Sequence, residues 1–300
     1  MRDNTIIHLA GLTKDYGDGH GIFDLDLEVS PGEVFGLIGA NGAGKTTVIR
    51  LIMDLIRTDS GTARVFGLDA HRDSIAIKRR VGYLPGELPQ WSGVKAAHII
   101  GLLAGLRGGV DPGRLSMLTT RLRVDLNRRY SDLSHGNKQK VGLVAAFMHD
   151  PDLLILDEPT LGLDPLMQRE VRSLISEAVD RGACCLLSSH VLAEVELACD
   201  RVGLIRAGHL VRLGSLSELR AIRVHQVQAQ LTTPPDATAM TGLTKLTGIE
   251  NVKVDGSSIQ CSANGSMQSL LAWFADNGAR ELDSRELSLE EVFLAEYEPT

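Results

Sequence analysis

Three things are scarce in this chain, and each absence narrows what it does. Positive charge is not in excess: Lys and Arg total 31 against 38 Asp and Glu, a formal net charge of −7 with both signs scattered along the chain. A nucleic-acid footprint needs a basic stripe, so no nucleic-acid partner is expected. Cysteine is sparse. Cys184, Cys185, Cys199 and Cys261 form no C-x-x-C pair, and Cys184–Cys185 lies in an apolar run that reads as a buried strand. Reduced, structural thiols in a cytosolic protein are the expectation. Long apolar runs are missing too. The N-terminal MRDNTIIHLAGLTKDYG lacks the apolar stretch and cleavage site of a secretory signal. Runs such as HIIGLLAGL fall short of the roughly 18–20 residues a spanning helix needs. The chain is not expected to cross a membrane by itself.

What is present suffices for a folded chain of one large or two modest domains: 300 residues, 43% hydrophobic. IFDLDLEV (22–29) alternates, with Phe23, Leu25, Leu27 and Val29 on one face, which predicts a half-exposed antiparallel strand. VFGLIG (34–39), DLLILD and ACCLLSS are almost wholly apolar, as strands buried on both faces are. Helical spacing follows in VIRLIMDLI, Ser74–Arg80, KQKVGLVAAFMH and LMQREVRSLISEAVDRG, and residues 90 to 130 read as mostly helical. Strand and helix alternate, which predicts a mostly parallel sheet covered by helices. The texture changes near residue 220. From HQVQAQL onward the order is β-α-β-β-α-β, with Asp255–Gly256 at a hairpin turn, a ferredoxin-like arrangement for a separate small α+β domain over 221–300. SLEEVFLAEY is its last expected helix.

GANGAGKT (39–46) fits G-x-x-x-x-G-K-[ST] and stands between a buried strand and a helix. That context is what the chemistry requires. Gly39, Ala40, Asn41, Gly42, Ala43, Gly44 and Thr47 supply backbone N–H groups and a helix N-terminus for phosphates. Lys45 reaches the β- and γ-phosphates, and the Thr46 hydroxyl suits Mg²⁺. LLILDEPT (153–160) ends an apolar strand in two carboxylates, poor choices there unless something cationic awaits them. Asp157 suits Mg²⁺, and Glu158 suits orienting or deprotonating the attacking water. SSH places His190 at the end of another strand, where it reads either as a contact to Glu158 and phosphate or as a surface histidine. Tyr16 reads either as a stacking platform for adenine or as a loop tyrosine.

LSHGNKQK (133–140) raises a separate question, because it is a second Ser/Gly turn at the mouth of a helix, expected to begin near Asn137. The first cradle already surrounds its own phosphates. The simplest use for Ser134 and Gly136 is therefore in trans, on the γ-phosphate held by a second copy of the chain.

Taken together, the P-loop, LSHGNKQ, ILDEPTLGLD and SSH, in that order and at these spacings, resemble the nucleotide-binding subunit of an ABC transporter over about residues 4 to 220. The resemblance implies a P-loop core sheet, an N-terminal antiparallel β subdomain and a helical subdomain around 88–135 within a cassette spanning 1–220. It also implies a head-to-tail dimer around ATP and Mg²⁺, with the signature Leu133, Ser134, His135, Gly136 and Asn137 acting in trans and Asp164 contacting the partner. The family signature is usually L-S-G-G-Q, from which His135 and Asn137 depart. In GYLPGELP (82–89) Gly86 stands where family members carry a glutamine that links Mg²⁺ and the attacking water to the membrane subunit. Glu87 is the nearest replacement, as a hard oxygen donor or merely a solvated carboxylate, and Gln90 keeps the usual chemistry four residues late.

Without spanning helices of its own, such a subunit works with a separate polytopic permease at the cytoplasmic face of the membrane. One P-loop and one signature argue against translation-factor ATPases, which usually carry two cassettes. Their close spacing argues against chromosome-maintenance ATPases, which split the cassette with a coiled coil. The tail ending in SLEEVFLAEY resembles those of ATPases serving bacterial drug or antibiotic efflux. Export of a lipid, polysaccharide or ion is the alternative, and a soluble non-transport ATPase ranks behind both.

Overall fold

The computed structural model describes residues 5–221, 224–265 and 267–286. The chain forms two compact units, residues 1–215 and 216–300. The division falls slightly before the boundary read at 220.

In chain order the first unit runs β1 (Ile7–Gly17), β2 (His20–Val29), β3 (Val34–Ile38), α1 (Lys45–Ile52), β4 (Ser60–Val65), β5 (Leu68–Asp69), α2 (Ser74–Arg80) and β6 (Val81–Leu84). Two helices follow, α3 (Ala96–Gly105) and α4 (Pro112–Arg121), in the span read as the helical subdomain. The core resumes with α5 (His135–Phe147), β7 (Leu153–Asp157), α6 (Pro165–Asp180), β8 (Cys184–Ser189), α7 (Leu192–Glu196), β9 (Arg201–Arg206) and β10 (His209–Ser215).

Two sheets result. The N-terminal one is antiparallel, in the order β2-β1-β4-β5. The core sheet, in the order β10-β9-β3-β8-β7-β6, is parallel apart from its edge strand β10. Every residue of β3, β7 and β8 is buried, which is why these strands read as unbroken apolar runs. All three end on the same side of the sheet, so the loops after them converge there.

The alternation in β2 needs one correction. Leu25, Leu27 and Val29 are buried as expected, but Ile22 takes the next core position and Phe23 only half-buries, stacked on His209 with ring centroids 5.3 Å apart. Asp24 has φ 48°, a left-handed residue that shifts the register between Leu12↔Leu25 and Lys14↔Ile22 and reverses the phase of the faces. Similar irregularities in β1 break its period of two, so its sequence gave no clean strand signal.

Arg121 at the end of α4 fastens the helical subdomain to the core. Its guanidinium reaches Glu170 and Glu177 of α6, the latter at 2.6 and 2.7 Å. That bidentate grip holds the Glu177 carboxyl down at about 2.

The second unit contains α8 (Leu216–Ala221), β11 (Val224–Leu231), α9 (Ala237–Thr244), β12 (Ile249–Asp255), β13 (Ser258–Asn264), α10 (Gln268–Asp276) and β14 (Ala279–Glu286). From β11 onward the order is β-α-β-β-α-β, and the strands lie antiparallel in the order β12-β13-β11-β14. Val227, Ala229, Ile259 and Cys261 pack against Leu243, Leu270 and Phe274 of the two helices. The helix expected in SLEEVFLAEY lies outside the described residues.

Cys184, Cys185, Cys199 and Cys261 are free thiols, and burial pushes Cys184 up to about 12 and Cys261 to about 11. Thiols so shielded are structural. Among the described residues no helix is long and apolar enough to cross a membrane.

Candidate functional site

The loop after β3 carries Gly39 to Gly44 and turns directly into α1. Gly44, the residue before the helix, has φ 115°, and a Cβ there would meet Ile22 at 2.4 Å, so the turn requires glycine. No side chain caps α1, which leaves its first N–H groups free to face an anion. Asn41 and Gly42 are exposed, whereas Ala43 is buried and its carbonyl accepts from Gly208 N–H at 3.0 Å. That bond ties the loop to the β9–β10 turn.

Lys45 is 6% exposed, and its ammonium donates to the Gly39 carbonyl at 2.7 Å and to that of Ala40 at 3.3 Å. Thr46 donates to Asp157 Oδ2 at 2.8 Å, joining α1 to the end of β7. Thr47 follows in the same first turn. Asp157 is fully buried, and its other oxygen accepts from the Ser188 hydroxyl on β8. A buried carboxylate served by hydroxyl groups alone has capacity left for a cation. The hydroxyl–carboxylate pair matches what Mg²⁺ takes beside phosphate and water. Among the described residues no group of three or more His, Cys, Asp or Glu side chains is arranged to hold a metal.

Glu158 stands between Lys45 and His190. Oε1 lies 3.5 Å from Lys45 Nζ and Oε2 lies 2.9 Å from His190 Nδ1. A carboxylate only accepts, so Nδ1 carries the proton and donates. His190 is therefore joined to Glu158 rather than a detached surface histidine. The Glu158 side chain is 15% exposed and its backbone is left-handed, with φ 50°.

Tyr16 is 54% exposed near the end of β1, with the Lys14 ammonium over its ring at 5.7 Å from the centroid. Its neighbour Asp15 pairs with Gly21, whose carbonyl lies 3.2 Å from where a Gly44 Cβ would sit, so this end of β1 approaches the phosphate loop.

The second turn begins earlier than the sequence suggested. α5 starts at His135, not near Asn137, with Ser134 as its N-cap accepting from Asn137 N–H at 3.4 Å. Leu133 is buried, whereas Ser134 and His135 are exposed. Gly136 stands against the loop before α6: a Cβ there would lie 2.5 Å from the Gly162 carbonyl. That loop ends at Asp164, an exposed N-cap that accepts from Met167 N–H at 3.0 Å. Ser134 and Asp164 therefore belong to one face, and Asp164 has a capping task that the sequence reading missed, although Asp-Pro before a helix signals it.

Glu87 takes the solvated alternative in this structure. Its carboxylate is 89% exposed and turned to Arg50 at 3.3 Å, a solvated pair on the side of α1. Gln90 is exposed as well. Gly86 itself abuts the site, since a Cβ there would lie 2.8 Å from Asp157 Oδ2. The chain meets Asp157 at this point with no side chain at all. Two further residues escaped the sequence reading: Ser188, which accepts the Glu158 N–H at 3.1 Å, and Gln139, 1% exposed, whose side-chain amide donates to the Glu158 carbonyl at 2.9 Å.

Comparison with known proteins bears on this arrangement. Residues 22–161 match the family model described as ABC transporter. The bacitracin transport ATP-binding protein BcrA of Enterococcus faecalis is 37% identical over 217 residues, which cover 71% of this chain and 70% of that protein. The Nod factor export ATP-binding protein I of Cupriavidus metallidurans is 34% identical over 219 residues, covering 71% and 72%. The probable multidrug ABC transporter ATP-binding protein YbhF of Escherichia coli is 33% identical over 222 residues, but only 38% of its length is covered. A solved ATP-binding subunit of an ABC transporter superposes with a TM-score of 0.66 at 30% identity, covering 72% of this chain and 92% of that one. With that kinship and a phosphate loop, buried carboxylate and glutamate–histidine pair at the converging strand ends, the chain belongs to the ABC transporter family, as an ATP-binding, ATP-hydrolysing subunit.

Proposed function

We propose that this chain powers export, of a drug or antibiotic first of all, through a separate membrane permease at the cytoplasmic face of the membrane. The observation that carries the catalytic part is the Glu158 carboxylate held between Lys45 at 3.5 Å and His190 at 2.9 Å. Loop 39–47 wraps the ATP phosphates with backbone N–H groups, Lys45 neutralises the β- and γ-phosphates, and Tyr16 stacks on adenine. Thr46 and Asp157 hold Mg²⁺, which when bound neutralises charge on the phosphoryl oxygens. Glu158 takes the proton of the attacking water, and His190 keeps its carboxylate aimed while lying within reach of the γ-phosphate.

Ser134, Gly136 and Asn137 act on the γ-phosphate of a second copy, with His135 and Asp164 against the partner, so a head-to-tail dimer encloses two ATP molecules. The 216–300 unit is an accessory or regulatory domain. The names of the relatives support transport, one of them export, and they give different cargoes at similar identity, as expected when cargo contacts lie in the permease. Export of a lipid, polysaccharide or ion is the second reading, since the relatives' names give more than one cargo.

Two measurements test this. Glu158→Gln should keep ATP binding, lower phosphate release at least about a hundredfold and accumulate an ATP-bound dimer. Near wild-type turnover would remove the role of Glu158. Capture of the tagged chain from its native membranes should bring down a polytopic protein, and a peptide antibiotic should stimulate ATP hydrolysis by that complex. Recovery of no membrane protein would overturn the transport reading.

A further inference from the structure

Gln139 is the one polar side chain on the buried face of α5, where Val141, Leu143, Val144, Ala146 and Phe147 form the apolar contacts. A primary amide at 1% exposure is costly unless its hydrogen bonds are met, and Nε2 meets the Glu158 carbonyl at 2.9 Å. That carbonyl also accepts from Leu161 N–H at 3.2 Å, while Glu158 N–H donates to Ser188 O at 3.2 Å and to Ser188 Oγ at 3.1 Å. Both polar groups of the Glu158 peptide backbone are thus doubly engaged.

The reason lies in its φ of 50°. A glutamate in the left-handed region persists only where its surroundings over-determine it. Relaxation to the ordinary right-handed region would swing the Cα–Cβ bond and carry the carboxylate away from Lys45 and His190. We propose that Gln139 is a positioning residue for ATP hydrolysis, whose amide holds the Glu158 backbone left-handed so that the carboxylate stays aimed between Lys45 and His190. This rests on Glu158 as the residue that activates water. Gln139 touches neither nucleotide nor water and acts through Glu158 alone. It also lies on the helix that Ser134 caps, so the partner-facing turn and the amide that holds Glu158 are borne by one helix, five residues or roughly 7.5 Å apart along its axis.

Gln139→Met keeps length and volume and removes the donor. In the full-length protein it should lower kcat about tenfold or more, with the KM for ATP within about threefold of wild type. Hydrogen exchange at the amides of Leu161 and its neighbours should quicken. Gln139→Glu separates the bond from the packing. A buried carboxyl is protonated near neutrality and then donates as the amide does, so this variant should approach wild-type kcat at low pH and lose it as pH rises through the raised carboxyl pKa. The ratio to wild type should show that inflection. Wild-type kcat in Gln139→Met would overturn the proposal. So would methionine and glutamate variants equally slow at every pH, which would leave Gln139 a packing residue. Glu158→Gln measured in parallel keeps the two claims apart. A slow Glu158→Gln beside an unaffected Gln139→Met sinks the positioning role alone, whereas a fast Glu158→Gln sinks the water-activating role even if exchange quickens in Gln139→Met.

Discussion

The two helix ends built to face an anion, those of α1 and α5, differ in how much of their surroundings this chain supplies. At α1 the chain provides nearly everything: a buried lysine at the helix start, a buried carboxylate at the end of β7, and a glutamate–histidine pair beyond it. At α5 it provides the helix end and little else. Ser134 and His135 are exposed, and the nearby face is lined by the loop of Gly162 and Asp164. In the head-to-tail arrangement proposed above, the same backbone physics gives one site that is complete within the chain and one that is half a site.

The largest effect expected breaks this comparison directly. Lys45→Ala damages the complete site and Ser134→Arg the half site, and each alone should lower ATP hydrolysis about a hundredfold or more. Mixed in equal amounts, they form dimers in which one composite site has both parts intact. About a quarter of wild-type activity should return, rising with total concentration. If the mixture stays inactive, α5 does not serve a partner's nucleotide.

Gly86→Gln asks whether the complete site has spare room. A Cβ at residue 86 would press on Asp157, which cannot swing aside because Thr46 and Ser188 hold it. We expect a loss of about 1–3 kcal/mol in thermal or denaturant unfolding, together with weaker Mg²⁺-dependent hydrolysis. Wild-type stability and activity would mean the loop yields freely.

The far end of α5 distinguishes packing from chemistry. His149 follows that helix, its Nε2 donating to the Val81 carbonyl at 3.3 Å while Nδ1 finds no partner. Burial first, and then Arg107, push it down to about 4, opposed by the Val81 hydrogen bond and then by Asp150 and Asp152. The unfolded chain binds a proton near 6.5 that the folded chain refuses until about 4. Stability should therefore be fully present above pH 6.5 and fall as pH drops toward 4, by about 1–3 kcal/mol. Glu177 adds its own loss only below 4.5, so the interval from 6.5 to 4.5 isolates the histidine. His149→Leu should flatten the unfolding profile in that interval and leave hydrolysis at pH 7 within about twofold. An unchanged profile would remove His149 as the cause.

The smallest effect belongs to Glu87→Ala. An exposed pair with Arg50 contributes about 0–1 kcal/mol, so unfolding and hydrolysis should both stay close to wild type. A marked drop in hydrolysis would return Glu87 to the site.

How much of this the sequence revealed follows from how local each determinant is. The phosphate loop, Asp157 and Glu158 were legible because a glycine-rich turn between a buried strand and a helix, and carboxylates ending an apolar strand, are patterns within a few residues. Phe23 was misassigned because one left-handed residue, Asp24, inverts the alternation that the reading relied on. Glu87 and Gly86 could not be separated by sequence, since the deciding facts are Arg50 and Asp157, brought together only by the fold. Gln139 left a faint signal: it lies four residues before Leu143 on the apolar stripe of α5, where a polar residue is out of place.

The contact between Gly86 and Asp157 also constrains descent. From the present sequence a single exchange to glutamine, the family's usual residue here, inserts atoms where a fixed carboxylate already stands. A route back needs the backbone of residues 85–90 to withdraw first, and that change alone offers no gain. A one-step exchange at this position thus meets a steric barrier that glycine does not.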